Sequence, residues 1–196
     1  MTPSLRAITL LLLAGAVTSA QTGRSWPIRE APDELRPLIV DADLAIVSMQ
    51  DALLRQLHDK LAQGGPELAL GACHIDTSAL ARRLARSHEF AGGFTSDRLR
   101  DTANRPRPWA SAFVRSNAGK AAREVPGFVV DLGDRIGVLR PMAQQEICAS
   151  CHGPANRISP SVRKLLAERY PSDQAVGFAN GEIRGWFWVE LSKSVR

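Results

Sequence analysis

The chain has 196 residues and a formal net charge of +5 at pH 7, and these values narrow the possible classes of protein. This length suits one domain with a single hydrophobic core. The basic residues form scattered pairs rather than a stripe interleaved with aromatic side chains, so nothing favours nucleic-acid binding. No acid–base pair or nucleophile–base pair can be singled out, so we do not expect an enzyme.

The first twenty residues are typical of a secretory signal peptide. Arg6 supplies a positive start, residues 8–17 are apolar, and Thr18-Ser19-Ala20 forms a small-residue cleavage site. The apolar run is shorter than the roughly 20 residues that span a bilayer. We therefore expect cleavage after Ala20 and a periplasmic protein that has no integral membrane segment and has lost the charge of Arg6.

Residues 21–32 are expected to form an extended leader, followed by a single domain over residues 33–196. From Asp33 onward, apolar residues recur at spacings of three and four, which predicts one long helix that ends at Gly64-Gly65. Its apolar face would consist of Leu35, Ile39, Ala42, Ile46, Met49, Leu53 and Leu57. We expect this helix to pack lengthwise on a sheet rather than to lead into a separate sensory domain.

The remaining elements follow in an order that favours an α+β domain. Helices are predicted from Pro66 through Cys73 and from Asp76 or Thr77, and residues 92–108 are expected to be irregular. Strands are then predicted in a hairpin and at the end of the chain, with one short helix between them. These elements are the strands 128–132 and 135–139 around Gly133-Asp134, the helix from Ser159-Pro160, and the strand 183–191 after Asn180-Gly181.

Cys148-Ala149-Ser150-Cys151-His152 has the sequence of a c-type haem attachment site. Two thiols at this spacing can add to the two vinyl groups on one edge of a porphyrin, and the adjacent His then lies beneath the iron. A redox-active Cys-X-X-Cys belongs at a helix start inside a βαβ pattern, and a zinc site needs a second ligand pair. Neither context is found here, so we predict one covalently attached haem c with His152 as an iron ligand.

The second axial ligand is left open by the residues alone. The candidates are Cys73, three histidines and two methionines: His58, His74, His88, Met49 and Met142. His58 and His88 are expected at the surface and Met49 in the core, while Met142 is near the haem motif only in sequence. Cys73 is unpaired, follows an apolar segment and is a soft donor suited to iron. On this basis Cys73 and His74 are equal candidates.

Several separated segments resemble one known family, the c-type haem-binding PAS-like domains that occur alone or ahead of histidine kinases. The resemblance covers roughly Pro66 to Leu191, and Asp101 and Thr102 depart from the family's Asn-Pro. The matching segments are Gly71-Ala72-Cys73, the Arg100, Ala103, Asn104, Pro106 and Trp109 stretch, Leu139-Arg140-Pro141, the haem motif with Gly153, Tyr170-Pro171 with Asp173, Ala175 and Gly177, and residues 181–185.

The family resemblance implies a PAS-like antiparallel sheet with flanking helices and a long N-terminal helix. It also implies that Cys73 binds the iron opposite His152, which ranks Cys73 above His74. Arg100, Trp109 and Arg140 match family positions and are expected to contribute to cofactor binding.

Two functions are consistent with such a haem. The first is a redox or gas sensor, in which reduction weakens the bond between iron and the Cys73 thiolate and moves the Cys73 segment. The chain carries no kinase segment, so a sensor would signal through a protein partner. The alternative is a small periplasmic electron-transfer cytochrome, which needs only an exposed haem edge and a redox partner. The ligand pair favours the sensor.

Overall fold

The computed structural model describes residues 23–70 and 90–194. Its described strands form one five-stranded sheet with the order β1-β3-β4-β5-β2, in which every neighbouring pair is antiparallel. The strands are β1 Ser25–Pro27, β2 Phe90–Thr95, β3 Phe128–Asp131, β4 Arg135–Ala143 and β5 Ile183–Ser192. The described α-helices are α1 Arg36–Ala69, α2 Ser111–Ser116, α3 Ala149–His152 and α4 Pro160–Arg169. This architecture confirms the predicted α+β fold.

Helix α1 packs along the sheet, as its apolar periodicity predicted. Its buried side chains form one core with residues of β3, β4 and β5, among them Val138 and Phe187. The predicted break at Gly64-Gly65 is confirmed: neither glycine has a helical backbone, Gly65 adopts a φ of +69°, and the chain is helical again from Pro66 through Ala69, the described part of the second predicted helix. Glycine is the residue that adopts this left-handed conformation at little cost.

The predicted hairpin is confirmed, and it positions the haem motif. Gly133 has a φ of +92° in the turn, and its amide donates to Asp131 Oδ1 at 2.9 Å. Strand β4 continues four residues beyond the predicted Leu139, to Ala143, and pairs with β5 along this length. The longer strand therefore leads directly into the segment that carries the two cysteines.

The prediction that residues 92–108 are irregular is wrong at its start. Strand β2 runs through Thr95 and pairs with β5, where Gly92 faces Val189 and Gly93 faces Trp188. Adjacent glycines weaken the sequence signal for a strand. Here they admit aromatic rings, because a Cβ on Gly92 would lie 2.6 Å from the Phe90 ring and one on Gly93 3.3 Å from the Trp188 ring.

Other sequence predictions meet the structure only in part. Residues 25–27 of the expected leader form edge strand β1, which pairs with β3. The signal peptide, Cys73, His74, His88 and the helix from Asp76 or Thr77 lie outside the described residues. Of the helices in residues 23–70 and 90–194, none combines the length and the apolar character needed to cross a bilayer.

Candidate functional site

The haem motif forms a short, largely buried turn after β4. A 3-10 turn over Glu146–Cys148 leads into α3, where Cys151 and His152 are buried and Cys148 is half-buried. Gly153 ends the helix, and a Cβ at this position would lie 2.6 Å from the Ala149 carbonyl oxygen. The chain can therefore turn sharply after His152 only with glycine at position 153.

The His152 ring is fixed in the tautomer that a metal ligand needs. Its Nδ1 lies 2.7 Å from the Ala175 carbonyl oxygen, and Nδ1 must be the donor because a carbonyl oxygen can only accept. Nε2 consequently carries the lone pair and accepts a hydrogen bond of 3.4 Å from Arg100 Nη1, which can only donate; a backbone carbonyl orients many metal-binding histidines in this way. Burial, together with the positive charges of Arg184 and Arg100, holds the pKa of His152 well below its usual range. The imidazole is therefore neutral at neutral pH.

Arg100 joins the haem motif to the loop that holds His152. Its Nε donates to Asp173 Oδ2 at 3.0 Å, and one terminal nitrogen donates to the Cys151 carbonyl at 2.6 Å and to the Ala175 carbonyl at 3.3 Å. Asp173 also accepts the Ala175 amide at 2.8 Å. The side chains of Arg100 and Asp173 are only 9% and 8% exposed. The carbonyl that orients His152 is therefore held by a buried ion pair.

Two adjoining cavities flank His152. The larger has a volume of about 220 Å³ and lies between α1, the end of β4 and the haem motif; Cys148 and Cys151 both line it. The smaller, of about 80 Å³, lies beneath β2 and the loop that contains Arg100. Both linings include the same four side chains: Leu53, Met142, His152 and Arg184. Cys148, Cys151 and His152 thus all line the larger cavity.

Arginine side chains line both cavities: Arg98, Arg100 and Arg184 line the smaller one together with Asp101, and Arg184 lines the larger one. Arg184 lines both cavities, and its buried Nε has no hydrogen-bond partner among the described residues. Arg98 lines the smaller cavity, where its guanidinium pairs with Glu182 and stacks 3.5 Å from the centre of the Phe178 ring. An anionic group that entered the cavity could accept from this Nε, which no residue within 23–70 and 90–194 engages.

Comparison with known proteins assigns the family. A family model described as Tll0287-like matches residues 27–192. The chain belongs to the Tll0287-like family. The crystal structure of the cyanobacterial haem protein Tll0287 matches with a TM-score of 0.54 and 20% identity, covering 85% of this chain and 99% of that chain. No curated protein sequence matches this one. The family resemblance inferred from the sequence and the fold that it implied are confirmed.

The structure brings some of the predicted site residues of this Tll0287-like domain together and separates others. Cys148, Cys151, His152 and Arg100 meet at the cavities. Trp109 packs on the opposite face of the sheet from α1, and its indole Nε1 donates to Glu190 Oε1 at 2.7 Å. Glu190 also pairs with Arg107 at 2.8 Å, so this loop is held to the sheet around a buried carboxylate.

Arg140 lies on the side of the sheet that carries α1, and its guanidinium pairs with Asp43 of that helix through contacts of 2.5 and 2.8 Å. Neither Trp109 nor Arg140 belongs to either cavity lining. Their expected part in cofactor binding stays a prediction. Among the other ligand candidates, Met49 is buried in the core and His58 is exposed, as predicted.

The sequence assigned no role to Arg184, Asp173 and Ala175, which the structure places at the site; all three were matched only as parts of the family signature. Met142, a candidate axial ligand that only its nearness to the haem motif in sequence recommended, lines both cavities. The available signal for the first three was their recurrence in that signature. A half-buried arginine after a turn and an alanine whose carbonyl accepts from a histidine produce no sequence pattern of their own.

Proposed function

We propose that the protein binds one haem c, with thioether bonds to Cys148 and Cys151 and with His152 as an axial ligand. The observation that carries the proposal is the His152 ring, whose Nδ1–H is committed to Ala175, so that its unprotonated Nε2, which accepts from Arg100 Nη1 at 3.4 Å, is the nitrogen that could bind iron. His152 lines the same cavity as both cysteines. When bound, haem would supply an iron centre that gains and loses one electron. The related Tll0287 is itself described as a haem protein.

The lining of the cavities fits this cofactor. Leu53, Leu54, Leu57 and Phe187 offer an apolar wall to a porphyrin face in the larger cavity. The unsatisfied Nε of Arg184 is a donor suited to a propionate carboxylate, since charge-assisted hydrogen bonds to carboxylates are the strong ones. Within residues 23–70 and 90–194, no group of three His, Cys, Asp or Glu side chains could hold a metal ion without a porphyrin.

Covalent attachment is tested by expression with a c-type maturation system. The protein should give the pyridine haemochrome of two thioether bonds and retain haem in acidified organic solvent. Cys148→Ala and Cys151→Ala should each show a vinyl-shifted spectrum or lose the haem, whereas Ser150→Ala, a change within the same motif, should keep it. Haem that extracts freely from the unaltered protein would contradict the proposal.

We propose Cys73 as the second axial ligand and a redox or gas sensor as the function, in a protein exported to the periplasm. Leu70, the last described residue before this segment, lines the smaller cavity with His152. Cys73 follows Leu70 by three residues in the sequence. Cys73 would hold ferric iron as a thiolate; if a redox partner delivered one electron to the iron, the thiolate would be held less tightly and could take up a proton from solvent, which would free a coordination position for a gas ligand.

The ligand proposal is tested by electron paramagnetic resonance of the ferric protein. We expect a low-spin thiolate signal that is lost in Cys73→Ala and kept in His74→Ala, its neighbour and control. The midpoint potential of Cys73→Ala should rise, because a thiolate stabilises ferric iron. If Cys73→Ala leaves the spectrum unchanged, the sensor mechanism fails and a periplasmic electron-transfer cytochrome becomes the better description.

A further inference from the structure

Helix α1 exposes a line of apolar side chains on the face opposite the sheet. Val40, Leu44 and Val47 are 56%, 60% and 61% exposed, although residues of this type are usually buried. Their spacings of four and three place them one above another on a single face. Single exposed apolar residues are ordinary, but a contiguous row of three indicates a surface that another molecule covers.

Charged residues extend this line at both ends. Asp33 and Arg36 precede it and Asp51 and Arg55 follow it, again at spacings of three and four. Each pair is joined within the chain, Arg36 to Asp33 at 2.7 Å and Arg55 to Asp51 at 2.5 Å, and all four side chains are more than half exposed. We call these seven residues the α1 stripe, although Asp33 belongs to the 3-10 turn Asp33–Leu35 that leads into α1; in order they are Asp33, Arg36, Val40, Leu44, Val47, Asp51 and Arg55.

The α1 stripes of two copies of the chain are complementary when the two helices run antiparallel. In an antiparallel pair centred on Leu44, Val40 lies opposite Val47 of the partner subunit, and Leu44 meets Leu44 of the partner subunit. Arg36 then lies opposite Asp51 of the partner subunit, and Asp33 opposite Arg55 of the partner subunit, so every charge meets its opposite. A parallel pair would instead set each charge against its like, which is destabilising.

We propose that two copies of the chain associate through antiparallel packing of their α1 stripes around a twofold axis at Leu44. Such an interface uses the same patch on both copies, as twofold dimers do. From Arg36 to Arg55 the helix is about 30 Å long, enough for a continuous helix–helix contact. Association of two copies through this surface does not require bound haem. The opposite side of the same helix bears Leu53 and Leu57, which line the larger cavity.

The dimer is tested by sedimentation velocity of the full-length, haem-loaded protein over a range of concentrations. We expect a concentration-dependent dimer that Leu44→Asp converts to a monomer, with at least a hundredfold weaker association. Leu68→Asp is the matched control, because Leu68 is 46% exposed on the same helix but lies beyond the break at Gly64-Gly65, outside the stripe. Circular dichroism checks that both variants are folded. We expect that they are, because the substituted side chains, Leu44 and Leu68, are both exposed.

A charge reversal tests the antiparallel register. Arg36→Glu places two acids opposite each other at both ends and should weaken association about tenfold. Adding Asp51→Arg to the same chain restores opposite charges across an antiparallel interface and should recover the association. Unaltered protein that stays monomeric up to about 1 mM, or Leu44→Asp that still dimerises, would overturn the proposal. A double variant no stronger than Arg36→Glu would overturn the antiparallel arrangement.

Discussion

Arg100→Met is the substitution whose effect the structure defines most closely. Methionine keeps much of the length of the side chain but removes the guanidinium, which donates to Asp173, Cys151 and Ala175. Asp173 would keep its bond from the Ala175 amide and lose its counter-charge. A buried carboxylate would then face an apolar thioether.

The expected loss of stability follows from the burial of this pair. Both side chains are less than a tenth exposed, and breaking such a buried pair by removing one partner costs about 3–5 kcal/mol. A pair near the haem motif gives the comparison: Arg157 and Glu146 are joined, but they are 53% and 66% exposed. Exposed pairs contribute about 0–1 kcal/mol, so Arg157→Met should be nearly neutral.

Urea denaturation followed by circular dichroism measures both variants against the unaltered protein. Arg100→Met should lower the free energy of unfolding by the amount given, and Arg100→Met with Asp173→Asn should recover part of it, because no buried charge then remains unpaired. The reasoning would be refuted if Arg100→Met were no less stable than Arg157→Met. It would also be refuted if Asp173→Asn lowered the free energy of unfolding of Arg100→Met as much as it lowers that of the unaltered protein.

Three further predictions concern the site and the export signal. In haem-free protein made by Cys148→Ala with Cys151→Ala, the contribution of His152 to the free energy of unfolding should be fully present above the ordinary His pKa of 6.5. Below that pH it should fall by up to about 1.4 kcal/mol per pH unit, because the lowered pKa of the folded His152 leaves only the unfolded chain to take up the proton. Adding His152→Gln should remove that part of the pH dependence in urea titrations. Arg184→Met should lower the haem midpoint potential in a spectroelectrochemical titration, since a nearby cation disfavours ferric iron, while Arg184→Lys should not; equal potentials would place Arg184 away from the haem. Mass spectrometry of periplasmic protein should find Gln21 at the N-terminus, and retained Met1 would contradict cleavage.

The sequence alone determined the features that depend on local spacing. Apolar residues spaced three and four apart from Leu35 to Leu57 were enough to predict helix α1, because the buried side of an amphipathic helix repeats with the helical period of the sequence. Gly133-Asp134 located the hairpin, and the five residues from Cys148 to His152 carry the motif on which the proposed attachment site rests. In each case the physical cause lies within a few turns of chain, so a short window of sequence contains it.

The tertiary structure decided the features that join distant segments. Strand β2 forms despite Gly92 and Gly93 because β5 supplies its hydrogen bonds and aromatic neighbours from almost a hundred residues away. The His152 tautomer depends on a carbonyl at Ala175, and that carbonyl is held by Arg100. Trp109 and Arg140 look equivalent to Arg100 as matches to the family, yet the sheet carries both away from the cavities. Contacts between residues far apart in the chain leave no periodic pattern in the sequence, so they can be recognised only in the folded structure.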